Sequence, residues 1–112
     1  MANKNPGSEG KILLVDDDRA SRETLSEWVL RQGWEPIAVK DGDEAIKHIH
    51  DGVAVIVTDL KMPRTDGMEL LRRAKAIEPE TTIVMITAHG SVDRAVEAMR
   101  HGASDFIAKP FS

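Results

Sequence analysis

The chain has 112 residues, a formal net charge of −4, 41% hydrophobic and 30% charged residues, and no cysteine. That length suits one domain and is too short for two, and the mix is that of a soluble globular protein. Cysteine chemistry is excluded, the negative balance argues against direct contact with nucleic acid or an anionic membrane, and no apolar run is long enough to span a bilayer.

Residues 1–10, "MANKNPGSEG", are rich in Gly, Asn, Ser and Pro and read as a flexible tail. They lack the apolar centre of a signal peptide, so a cytoplasmic protein is expected. The first apolar run is "KILLV", Lys11–Val15. It is almost continuous, as a strand covered on both faces should be. Three acids follow it, Asp16, Asp17 and Asp18. A helical stripe of Leu25, Trp28, Val29 and Gln32 comes next, with Gly33 as its stop. "EPIAV", Glu35–Val39, is more mixed and reads as an edge strand. Asp41 suits a helix cap with Glu44 reaching back, ahead of Ala45, Ile46 and Ile49, and Gly52 follows.

"VAVIVT", Val53–Thr58, is again a central strand and runs into Asp59. "TDG", Thr65–Gly67, is a turn and helix start. Leu70, Leu71, Ala74 and Ile77 form the third stripe, ended before Pro79. "TIVMI", Thr82–Ile86, leads to Thr87. Val92, Ala95, Val96 and Met99 form the fourth stripe, with Gly102 behind it. "SDFIA", Ser104–Ala108, is the other edge strand and ends in Lys109. Alternating strands and helices predict an α/β fold, a doubly wound five-stranded parallel sheet with helices on both faces. Ligands bind such sheets at the carboxyl ends of the strands, near the switch point.

The chemistry collects at that rim. Asp16, Asp17, Asp59, Thr87 and Lys109 each follow or close a predicted strand. Adjacent carboxylates repel, and desolvation penalises each, so a cluster of them calls for a positive charge. Mg²⁺ takes oxygen ligands and is commonly held by one or two carboxylates plus phosphate. A lysine can serve phosphate as a point charge, a threonine hydroxyl can donate to a phosphoryl oxygen, and an aspartate can carry an aspartyl-phosphate. The set fits phosphoryl transfer. Taken singly, each residue has a plainer reading. Asp18 suits a cap on the first helix, Thr87 an ordinary strand end, Lys109 a surface lysine and Phe106 a core residue. Trp28 and Trp34 read as packing residues. His48 and His50 read as surface residues, because positions two apart do not share a helix face.

"LLVDDD", "VTDLKMPRTDG", "ITAHGS" and "GASDFIAKPF" together resemble the receiver domain of two-component response regulators, from Lys11 to the end of the chain. The wording "MITAHGSVDRAVEAMRHGASDFIAKPF" is most similar to receivers of the nitrogen-regulator type, which precede an ATPase and a DNA-binding domain in enhancer-binding activators. The resemblance implies the flavodoxin-like strand order 2-1-3-4-5. It implies Asp59 as phospho-acceptor, and Asp16, Asp17, Asp59 and the Lys61 backbone carbonyl as ligands of Mg²⁺. It further implies Thr87 and Phe106 as the switch pair, Lys109 as the phosphate-neutralising lysine, and a cis bond at Lys109-Pro110. Lys61 and His89 would tune the lifetime of the phosphate.

The implied partners are a sensor histidine kinase or phosphotransfer protein, an output domain in a longer parent chain or a partner protein, and a second copy in a homodimer. Such a protein is a signalling phospho-acceptor rather than an enzyme with turnover. The family's fifth helix has no residues here, so residues 11–112 read as a receiver truncated before that helix, with an apolar sheet face left bare. Three rivals stand beside this reading. One is a phosphatase of the haloacid-dehalogenase kind using Asp16, another an interaction module that takes no phosphate. The third, a nucleotide or flavin binder, is disfavoured by the lack of a Gly-rich loop after the first strand.

Overall fold

A computed structural model describes residues 10–88 and 91–109. Nine elements alternate along them: β1 (Lys11–Val15), α1 (Arg19–Arg31), β2 (Glu35–Val39), α2 (Gly42–Ile46), β3 (Val53–Thr58), α3 (Gly67–Ile77), β4 (Thr82–Thr87), α4 (Val92–Arg100) and β5 (Asp105–Ala108). The sheet is parallel throughout, in the order β2-β1-β3-β4-β5. From β1 the chain crosses outward to β2 and then returns to the other side as β3. The loops after β1 and β3 therefore diverge, and the crevice between them is the switch point at which doubly wound sheets bind ligands.

Side-chain alternation along β1 builds both faces of the core. Leu13 and Val15 join a large cluster with Ile56, Leu70, Leu71, Ile83 and Met85, beneath α2, α3 and α4. Ile12 and Leu14 join a smaller one with Val29 of α1, edged by Leu25, Trp34, Val55 and Val57. The edge strands β2 and β5 are only partly covered, as their mixed sequences anticipate. Each helix starts at a side-chain cap. Asp18, Asp41, Asp66 and Ser91 accept the backbone N–H three residues on. Gly33 and Gly102 stop α1 and α4 at φ 93° and 105°, where a side chain would be strained.

The helices depart from their predicted stripes in four places, one of them Ile77 at the end of α3, which is 41% exposed. The α2 helix is short, because after Ile46 the chain tightens. The amides of Lys47, His48 and Ile49 bond to the carbonyls three residues back. Ile49 is still buried by this turn. In α4 the expected stripe lies outward: Val92, Val96 and Met99 are 79%, 45% and 48% exposed. The buried positions are Ala98 and, just past the helix, Ala103. Small residues let α4 sit close to the sheet and leave the larger side chains on its flank. Trp28, read as a packing residue, is likewise mostly exposed, and the inward position of α1 is its neighbour Val29. Trp34 does pack, against the smaller cluster. Among the described residues no helix is long and apolar enough to cross a membrane.

Candidate functional site

The rim site is built by continuing the strand ladder one residue past the strands. The Asp59 amide donates to the Val15 carbonyl at 2.8 Å, and the Asp16 amide to the Val39 carbonyl at 3.2 Å. These bonds set Asp16 and Asp59 side by side at the carboxyl ends of β1 and β3. The Lys109 amide donates to the Thr87 carbonyl at 2.9 Å, which ties the end of β5 to the end of β4 and brings Lys109 to the same rim.

The carboxylates meet there. Asp16, Asp17 and Asp59 each offer an oxygen, and these oxygens all lie within 4.8 Å of one another. Asp16 and Asp59 are buried, and Asp17 is exposed. The Asp16 carboxylate is held at both oxygens: Oδ1 accepts the Asp18 amide at 2.9 Å, and Oδ2 accepts Lys109 Nζ at 2.7 Å. Asp59 is held at one: Oδ1 accepts the Leu60 amide at 2.7 Å, while Oδ2 faces Lys109 Nζ at 3.8 Å. Lys109 is thus the cation shared by the two buried acids. Burial works against its charge, but the hydrogen bond and charge of Asp16, with the charges of Asp59 and Asp18, outweigh that, and its pKa is raised above the ordinary lysine value. An all-oxygen donor set of this size, with more negative charge than one ammonium balances, fits a hard divalent cation such as Mg²⁺.

The neighbouring residues support the site. Asp18 turns away and caps α1. Its pKa is lowered, first by the Ser21 amide and then by the Ser21 hydroxyl. Gly67 closes the loop after β3, its amide donating to the Leu60 carbonyl at 2.7 Å. A Cβ on Gly67 would overlap the Asp59 carbonyl oxygen and come within 2.8 Å of Leu60 Cα, so only glycine fits there. Lys61 lies on this loop with its side chain exposed. Thr87 is fully buried at the end of β4, and Phe106 is half-buried, paired with Met85 and packed on the large cluster. Sequence reasoning missed Arg22, whose guanidinium donates to the Asp16 carbonyl at 2.8 Å from one turn inside α1. A basic residue one helical turn beyond the acids was the available signal. His89 and Pro110, and with Pro110 the expected cis bond, lie outside the described residues.

Comparison with known proteins agrees with this fold. The response regulator receiver domain family matches residues 12–112. Response regulator protein FleR of Pseudomonas aeruginosa is 43% identical over 102 residues, 90% of this chain and 22% of FleR. The crystal structure of NtrX from Brucella abortus superimposes with a TM-score of 0.85 at 37% identity, covering 92% of this chain and 24% of NtrX. A response regulator protein from Burkholderia pseudomallei, solved with a phosphorylated aspartic acid and a calcium ion, superimposes with a TM-score of 0.85 at 27% identity. That match covers 91% of this chain and 61% of the other. The chain thus spans under a quarter of the length of FleR and NtrX.

Proposed function

The chain belongs to the response regulator receiver domain family, and from that premise we propose that it takes a phosphoryl group onto Asp59 from a phosphohistidine. The donor is a sensor histidine kinase or a phosphotransfer protein. The observation that carries this reading is the meeting of Asp16, Asp17, Asp59 and Lys109 at the switch point of the sheet. Asp16, Asp17, Asp59 and the Lys61 carbonyl would hold Mg²⁺, which when bound supplies charge neutralisation to the phosphoryl oxygens.

This chain's own residues do the rest. The Leu60 amide holds Asp59 Oδ1, so Oδ2 is the freer oxygen and attacks phosphorus in line. A P–O bond forms, the P–N bond to the donor imidazole breaks, and the imidazole keeps the electron pair of that bond. Lys109 stands 3.8 Å from Oδ2, where its ammonium neutralises charge building on the transferring group. The Thr87 hydroxyl then moves to a phosphoryl oxygen and Phe106 turns inward. The face of α4 and β5 changes with them, and an output domain of the parent protein, acting in transcription, reads it. Water slowly hydrolyses the acyl phosphate at the same site.

Intact mass tests this directly, after incubation with Mg²⁺ and acetyl phosphate. Wild type should gain one phosphoryl group, and Asp59→Asn, or wild type without Mg²⁺, should gain none. An adduct on Asp59→Asn, or no adduct on folded wild type that binds Mg²⁺, overturns the reading.

A further inference from the structure

The loop after β3, residues 59–66, carries both Asp59 and Lys61. Its near end is closed by Gly67 on Leu60, as described. Its far end is docked on an element well separated in sequence. The Thr65 hydroxyl donates to Asp43 Oδ1 of α2 at 2.8 Å, a contact across 22 residues. Arg73 of α3 reaches the same pair, at 3.4 Å from Asp43 Oδ1 and 3.5 Å from Thr65 Oγ1. The backbones are pressed together beside this contact. A Cβ on Gly42 would lie 2.8 Å from Thr65 Cγ2 and 2.9 Å from the Thr65 carbonyl oxygen. Just before Thr65, Arg64 adopts φ 64°, a left-handed conformation costly for a residue with a side chain. Its guanidinium lies 4.0 Å from Asp41 Oδ2, the cap of the same helix.

A loop does not accept that strain and that closeness unless its position is over-determined by its surroundings. We propose that Thr65 and Asp43 are positioning residues: they dock the loop after β3 on the N-terminus of α2 and thereby hold Asp59 and the Lys61 carbonyl in register with Asp16 and Asp17. This rests on the reading of that loop as the bearer of metal and phosphate. Neither residue touches the reacting atoms. Each acts through the loop and not by bonding a metal ligand directly. Arg73 adds charge to Asp43 and ties α3 into the same junction.

The test uses Thr65→Val, which keeps shape and deletes the donor, Thr65→Ser, which keeps the donor, and Asp43→Asn. In the metal-free protein, amide exchange at Leu60 and Gly67 is compared with exchange at Leu13 in the core. Mg²⁺ affinity is then measured by calorimetry well below the melting transition. Thr65→Val should speed exchange at Leu60 and Gly67 while sparing Leu13. It should also weaken Mg²⁺ by up to about 10-fold, the lower bound for partners bonded to ligands directly. Thr65→Ser should restore both, and Asp43→Asn should fall between. Unchanged Mg²⁺ affinity in Thr65→Val, or exchange raised equally at Leu13, overturns the proposal. Wild type that binds no Mg²⁺ overturns the functional reading instead, and the exchange comparison still decides whether the dock holds the loop.

Discussion

Replacing Lys109 by methionine removes one positive charge from among the rim acids and keeps the length of the side chain. Nζ lies 2.7 Å from Asp16 Oδ2 and 3.8 Å from Asp59 Oδ2. At an effective dielectric of ~20 these separations correspond to roughly 6 and 4 kcal/mol of gross attraction. Desolvation offsets most of it. The net cost is set by what remains: an Asp16 side chain only 3% exposed that has lost its Lys109 partner. Stranding such a charge costs about 3 kcal/mol, the lower end of the usual range because Lys109 is itself 19% exposed. Urea unfolding at neutral pH without Mg²⁺ should show that loss. The more negative pocket of Lys109→Met should bind Mg²⁺ more tightly than wild type, so added Mg²⁺ narrows the gap. Phosphoryl uptake should nonetheless fall by about 10²–10³, because the charge that neutralises the transferring group is gone. The pH dependence has a definite sign. Lys109 is raised in the folded chain, so its contribution is complete below about pH 10.5, its ordinary value, and is lost as pH rises through the raised folded value. The two midpoints should therefore keep their separation up to that pH and converge above it. Equal stability at neutral pH without Mg²⁺, or weaker Mg²⁺ binding in the variant, would refute Lys109 as the counter-ion of this site.

Two further outcomes follow from the site's surroundings. Gly67→Ala forces a methyl group into the Asp59–Leu60 backbone and should lower stability by about 3 kcal/mol or more; a wild-type urea midpoint would contradict the close approach described. Asp18 is depressed in the folded chain, so its support of α1 is complete above about 3.8, the ordinary value, and is lost as pH falls through the folded value. Protection of the Ser21 amide should drop with acid in wild type and stay level over that range in Asp18→Asn; parallel curves would remove the charge from the cap.

The strands were the most legible part of the fold. All five predicted strands match within one residue at each end, Thr87 extending β4 and Ser104 falling just outside β5, because short, nearly continuous apolar runs bounded by Gly and Asp admit little else. The caps Asp18 and Asp41 and the stops Gly33 and Gly102 were also readable, since capping is local chemistry. The faces of α1 and α4 were not. Periodicity says that a helix has an apolar stripe, but the roll of that helix is set by how closely it can approach the sheet. At α4 the small Ala98 won the inward position over Val96 and Met99, and at α1 Val29 won it over Trp28.

The chain's sequence by itself determined the alternation of strands and helices, the acids that end β1 and β3, and the lysine that ends β5. Each of these is written in consecutive residues. Only the tertiary structure decided that Asp16 and Asp59 share Lys109 across 93 residues of chain in one case, that Arg22 holds the Asp16 carbonyl, and that Thr65 docks on Asp43. Those contacts depend on strand order, helix roll and sub-ångström packing, which are set by the whole core at once and by no local run of residues.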